Sequence, residues 1–209
     1  MYSLDNLTVN ELLDKLAEAK FPGPASDSAA AITGAMAAAL LEMSCEVTLK
    51  KDTKKESLKS SMKSIKAIRK DCLVLATEDM KAYAKVIQSE KLKDTSPSEF
   101  ELAMKNATDT LVSIAENCNS IMTHIEQIVS ICYIKVLGDL GVSAYLAEAA
   151  ARSAKQGVEA NVHLLHDVQY KESVLASIYQ NYHNCSELKK LTRKQRDNDS
   201  AGQNLHFAL

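Results

Sequence analysis

The chain has 209 residues and a net charge of −2, enough length for one domain with a sizeable core and too little charge to imply general attraction to nucleic acid or an anionic membrane. With only three prolines, six glycines and no tryptophan, and with Ala, Leu, Lys and Glu abundant, long uninterrupted helices in an all-α fold are expected. The N-terminus lacks the basic start and apolar core of a secretory signal, no apolar run of about 18 residues suggests a membrane span, and five scattered cysteines without a C-x-x-C pair imply reduced thiols in the cytoplasm.

In chain order, Thr8-Val9-Asn10-Glu11 has the capping-box pattern, and Leu12, Leu13, Leu16 and Ala17 follow as a stripe, so a short first helix ends near Ala19. Pro22-Gly23-Pro24 then forces an extended stretch, because proline lacks the helical donor and restricts the residue before it. A second helix begins just after, with Asp27 and Ser28 as candidate N-caps, and runs from about Ser28 toward Lys50. Small residues at Ala30, Gly34 and Ala38, with Ala31, Ala35 and Ala39 one position along, leave a face that another backbone can approach closely. That face is either tight helix packing or, with the free amides of the loop before it, the seat of an anion or a carbonyl oxygen. Lys50, Lys51, Lys54 and Lys55 crowd the end of this helix, as a solvated turn or as a site for a carboxylate-rich ligand.

No proline or glycine interrupts residues 57–92, and the spacing of Met62, Ile65, Cys72, Leu75, Ala82 and Val86 predicts one long helix, with Asp79 on or beside its apolar stripe. After a loop at 91–95, Ser96-Pro97-Ser98-Glu99 opens a helix whose apolar period holds from Leu102 to Ile128. That helix is expected to stop at Leu137-Gly138-Asp139-Leu140-Gly141, with a new one resuming at Val142 and Asp139 either capping it or reaching into a cavity. The helix over 142–166 repeats the small-residue theme and carries Asn161 among apolar neighbours, which needs partners if buried. A last helix covers Tyr170 to Arg193, so a single helical domain spans 1–195 and the polar, aperiodic residues 196–209 form a loose tail.

Three of these segments together resemble the cyclodeaminase/cyclohydrolase family, which includes methenyltetrahydrofolate cyclohydrolases and the C-terminal domain of formiminotransferase-cyclodeaminase. Pro22-Gly23-Pro24-Ala25-Ser26-Asp27-Ser28-Ala29-Ala30 lies where that family has P-x-P-G-G-G-S-x-A. Asp79-Met80-Lys81-Ala82-Tyr83 is similar to its D-x-x-A-F/Y, and Gly138-Asp139-Leu140-Gly141-Val142-Ser143-Ala144 to its S-D-x-G-V-A, followed by Asn161-Val162. The resemblance implies an all-helical bundle of up-and-down helices, a homodimer, and a folate as partner, with no metal and no cofactor beyond the tetrahydrofolate substrate. The implied reaction is hydrolysis of 5,10-methenyltetrahydrofolate or cyclodeamination of 5-formiminotetrahydrofolate. Both suit carboxylates in a partly dry pocket, and the resemblance assigns Asp79 and Asp139 as acid/base or charge-stabilising groups. It assigns Pro24, Ala25, Ser26, Asp27, Ser28 and Asn161 as loop and wall contacts, and Lys50 and Lys51 as partners for a folate's glutamate tail. Because Ala25, Ser26 and Asp27 replace all three loop glycines, a folate-binding or regulatory paralogue without the chemistry is the alternative reading.

Overall fold

The computed structural model describes residues 3–52, 57–93 and 95–202, and among them there are six α-helices and no strand. They are α1 (Val9–Ala17), α2 (Ser26–Lys51), α3 (Ser57–Glu90), α4 (Pro97–Val129), α5 (Leu137–Val162) and α6 (Val168–Gly202), with single 3-10 turns before α1 and α5. In the middle of the outer wall, α2 lies between α3 and α5. Behind it α4 packs on all three, and α6 closes the back against α4 and α5.

The capping box is formed as expected, with the Thr8 N–H donating to Glu11 Oε2 at 2.8 Å and the Glu11 N–H to Thr8 Oγ1 at 3.3 Å. None of the α1 residues is fully buried, so its apolar stripe leaves Val9 and Leu13 largely in water. By contrast α4 is the core helix. Phe100, Leu111, Ile114, Ile121, Met122, Ile125 and Ile128 are all buried, each contributing about 1.5–3 kcal/mol of hydrophobic stabilisation. Alanines and Gly34 on α2 let it sit close to α3 and α4: a Cβ at Gly34 would already touch the sulfurs of Cys72 and Cys118 at 3.4 Å. Cys45, Cys72, Cys118 and Cys185 are buried free thiols acting as small core residues, and burial pushes the Cys45, Cys72 and Cys185 thiols up to about 12.

Four expectations are corrected. The break between the fourth and fifth helices falls at Ser130–Tyr133, so Gly138, Asp139 and Gly141 lie inside α5. One glycine costs a helix only about 1 kcal/mol, and the chain turns instead where Thr48 Oγ1 accepts the Tyr133 N–H at 3.0 Å. The last helix continues to Gly202, so residues 196–202 are not a loose tail; no helix-breaking residue intervenes before that glycine. Asp27 and Ser28 do not cap α2, since the helix starts at Ser26 and they fill its first turn. One helix, α2, does reach the length and hydropathy of a membrane span, with a mean hydropathy of 1.4 over its best window, although more than half of that window is buried against the bundle. Lys54 and Lys55 of the lysine cluster, and residues 203–209 of the tail, lie outside the described residues.

Candidate functional site

The first turn of any helix leaves four N–H groups without intrahelical partners. At α2 the N-cap is Ala25, extended at φ −137° and ψ −153°, whose side chain can accept nothing. A carboxylate from another helix takes over. Asp79, only 8% exposed on α3, faces the start of α2, and the Ser28 hydroxyl donates to its Oδ2 at 2.6 Å. Burial is the main influence on this carboxyl and pushes it up to about 6, with nearby Asp27 adding to the rise, while the Ser28 hydroxyl and N–H oppose it by holding the charged form. Near neutral pH Asp79 is therefore an ionised group that takes up a proton readily.

Asp27 lies one residue before Ser28, and its own carboxyl is raised by burial against a weaker contact from the Ser26 hydroxyl at 3.3 Å. The absence of a side chain at Gly157 makes room for it. A Cβ there would stand 3.0 Å from Asp27 Oδ1 and 2.8 Å from Leu111 Cδ1, so the small residue on α5 lets the first turn of α2 close down on the bundle. Asp27 and Asp79 line one hollow of about 190 Å³. Its wall is Gly23, Ala25 and Ser26, and its rim is Phe21 and Tyr83, whose rings meet edge-on at 6.0 Å. A side chain at Gly23 would force the loop to shift, because a Cβ would lie 2.7 Å from the Lys20 carbonyl oxygen. Ala25 is extended and Ser26 and Asp27 are helical, conformations that L residues adopt freely, and their side chains border the hollow without filling it.

Of the residues expected at a site, this hollow gathers Asp79, Ala25, Ser26 and Asp27, with Ser28 buried behind Asp79 and Pro24 buried in the loop. Asn161 is half-buried one turn beyond Gly157, at the same end of the bundle. Asp139 is not brought to Asp79 within one chain. It sits in the first turn of α5, 18 residues before Gly157, roughly 27 Å away along the helix. Lys50 and Lys51 are also remote, since Lys51 stands 24 residues beyond Asp27 on α2, roughly 36 Å. There Lys50 pairs with Glu46 at 2.7 Å in the open, and the Lys51 ammonium lies 5.7 Å from the centre of the Tyr133 ring. Phe21, Gly23 and Tyr83 are contributors that sequence reasoning missed. Tyr83 was within reach of it, being one helical turn after Asp79.

Together, two desolvated carboxyls and an aromatic rim at the positive end of a helix define an all-helical protein with a small acidic cleft, suited to exchanging a proton with a planar, cationic guest. A family model described as formiminotransferase-cyclodeaminase matches residues 8–196, and the chain belongs to that family. It is similar to a methenyltetrahydrofolate cyclohydrolase from Methylorubrum extorquens, 28% identical over 183 residues that make up 83% of this chain and 88% of that protein. Its fold matches the crystal structure of a formiminotetrahydrofolate cyclodeaminase from Thermotoga maritima with a TM-score of 0.87, at 22% identity, over 93% of this chain and 98% of that one.

Proposed function

We propose that the chain is a cytoplasmic folate one-carbon enzyme that hydrolyses the bridge of 5,10-methenyltetrahydrofolate at the hollow lined by Asp79 and Asp27. The single observation that carries this reading is Asp79 itself, a buried carboxylate held by Ser28 at a helix N-terminus and poised near pH 6. The methenyl bridge is a delocalised cation over two nitrogens and one carbon. Two carboxyls beside it supply opposite charge in a site of low dielectric, where such charge counts most. Water attacking the bridge carbon forms a C–O bond and gives one proton to ionised Asp79; collapse of the adduct to a formyl group breaks one of the two C–N bonds, the hydroxyl proton passing to the freed nitrogen, and the proton on Asp79 leaves through the open mouth under Phe21 and Tyr83. Cyclodeamination of 5-formiminotetrahydrofolate asks the same group to donate a proton to departing ammonia, so the acidic form of Asp79 would serve there.

The reading that the chain binds folate without turnover draws on the exchange of three loop glycines for Ala25, Ser26 and Asp27. Those residues leave the hollow open on an unstrained backbone, so the exchange does not close the site, and the buried carboxylate of Asp79 inside it favours turnover. Loss of near-ultraviolet absorbance of 5,10-methenyltetrahydrofolate, run beside ammonia release from 5-formiminotetrahydrofolate, tests the proposal. Decay of the first above its uncatalysed rate supports it. Ammonia release alone assigns the deaminase, and binding by calorimetry without either assigns the inactive paralogue.

A further inference from the structure

The charge in the hollow at the start of α2 is unbalanced. Its lining holds two carboxyls, Asp27 and Asp79, and among the described residues no lysine, arginine or histidine lines it. Their partners are uncharged, the Ser26 hydroxyl for Asp27 and the Ser28 hydroxyl and N–H for Asp79, so neither carboxylate is matched by a cation. Asp27 carries its charge while Asp79 titrates, being one of the influences that raise it. It also stands where the family motif has its third glycine. The fold makes room for it. Asp27 Oδ1 accepts from the Ser26 hydroxyl at 3.3 Å and lies over Gly157, where a Cβ would stand 3.0 Å from that oxygen and 3.3 Å from Cγ. A hydroxyl on one side and the bare backbone of α5 on the other hold this carboxylate at the wall of the hollow.

We propose that Asp27 sets the specificity of the site: its carboxylate retains a guest whose planar group is cationic and releases a guest of the same shape that is neutral there. The consequence for the reaction rests on the folate reading, and it concerns the product. 5,10-Methenyltetrahydrofolate arrives with a positive bridge; water adds, one proton goes to Asp79, and the ring-opened formyl product is neutral at that carbon. The attraction to Asp27 therefore fades as the reaction proceeds. A charge that is lost on the way to the transition state stabilises the bound substrate at least as much as the transition state, so it strengthens binding without speeding the chemical step. Asp79 differs in this respect, because it takes up the proton. A unit charge a few ångströms from the bridge in a partly dry site is worth about tenfold in affinity or more.

Steady-state kinetics of Asp27→Asn, which keeps the size of the side chain and removes its charge, test this at pH 8, above the midpoint of Asp79. KM for 5,10-methenyltetrahydrofolate is expected to rise about tenfold with kcat unchanged or higher, while the inhibition constant of 10-formyltetrahydrofolate changes by less than about twofold. Asp27→Gly is expected to behave alike. A tenfold fall in kcat at unchanged KM, or an equal weakening of substrate and product, overturns the assignment. So does an Asn variant that keeps the selectivity the Gly variant loses, since shape rather than charge would then discriminate. N-methylquinolinium and quinoline, planar bicyclic rings of similar size of which only the first is charged at pH 8, repeat the comparison without folate. By calorimetry the wild type is expected to prefer the cation, and Asp27→Asn to lose about tenfold of that preference. A wild type without the preference, or a preference the substitution leaves unchanged, overturns the charge selection. A wild type that neither binds nor turns over a folate, yet loses its preference for N-methylquinolinium on Asp27→Asn, overturns the folate reading and the product-release consequence while supporting the selection by charge.

Discussion

The two ends of α2 are built from similar material and do different things. At the N-terminal end a carboxylate from α3 replaces the missing cap and is buried in doing so, which raises its affinity for a proton. At the C-terminal end Lys50 and Lys51 remain in water, and Lys50 meets Glu46 in an exposed contact. Burial separates the two ends more than residue type does. A charged group becomes chemically distinctive where the fold removes its water, and is interchangeable where water stays.

Turnover breaks the comparison most sharply. Asp79→Asn is expected to lower kcat/KM for 5,10-methenyltetrahydrofolate by about 10²–10⁴, the usual worth of a positioned general base, whereas Asp139→Asn in its helix 27 Å off, roughly, should cost less than tenfold. Equal losses would return Asp139 to the catalytic machinery. The wall comes next. Gly23→Ala drives a Cβ into the Lys20 carbonyl and should lower kcat/KM by roughly tenfold, because the loop that walls the hollow must move to relieve the contact. Restoring glycine at Ala25 relieves no clash and should do much less.

Stability reverses the sign of the first substitution. The carboxyl of Asp79 is raised from 3.8 to about 6, so the folded state holds a proton that the unfolded state has already released. Its contribution is therefore most favourable below pH 4 and is lost as pH rises through about 6. Asp79→Asn should accordingly stabilise the fold by about 1–3 kcal/mol at pH 8 and by little at pH 4, read as urea midpoints at the two pH values. At the other end Lys50→Ala should change stability by less than about 0.5 kcal/mol at either pH, as exposed i,i+4 pairs do. Asp27→Asn gives the finest test. It removes the negative neighbour of Asp79, so the acidic limb of the pH–rate profile should move to lower pH without disappearing.

Helix identity was legible wherever a local signal had a local cause: the capping box at Thr8–Glu11, Pro97 at a first turn, and the unbroken apolar period of α3 and α4. The break at Ser130–Tyr133 was not, because it depends on a hydroxyl 85 residues away at Thr48, and the glycines that drew attention instead fit inside a helix. The two halves of the site fared differently for a similar reason. Asp79 stood out as a carboxylate on an apolar stripe, but its partner Ser28 had first to be moved from cap to first turn. The remoteness of Lys50 and Lys51 from Asp27 was available from the sequence, since 24 residues of continuous helix fix a length; it is a constraint that a motif match does not carry.

The most direct test of the acidic hollow as the seat of reaction is the pH dependence of kcat/KM for 5,10-methenyltetrahydrofolate, corrected for its uncatalysed hydrolysis and compared between wild type and Asp79→Asn. A wild-type rate that climbs through a midpoint near pH 6 and a variant that lacks this limb are the predicted result. A profile flat across pH 5–8, or one that Asp79→Asn leaves unaltered, would contradict it.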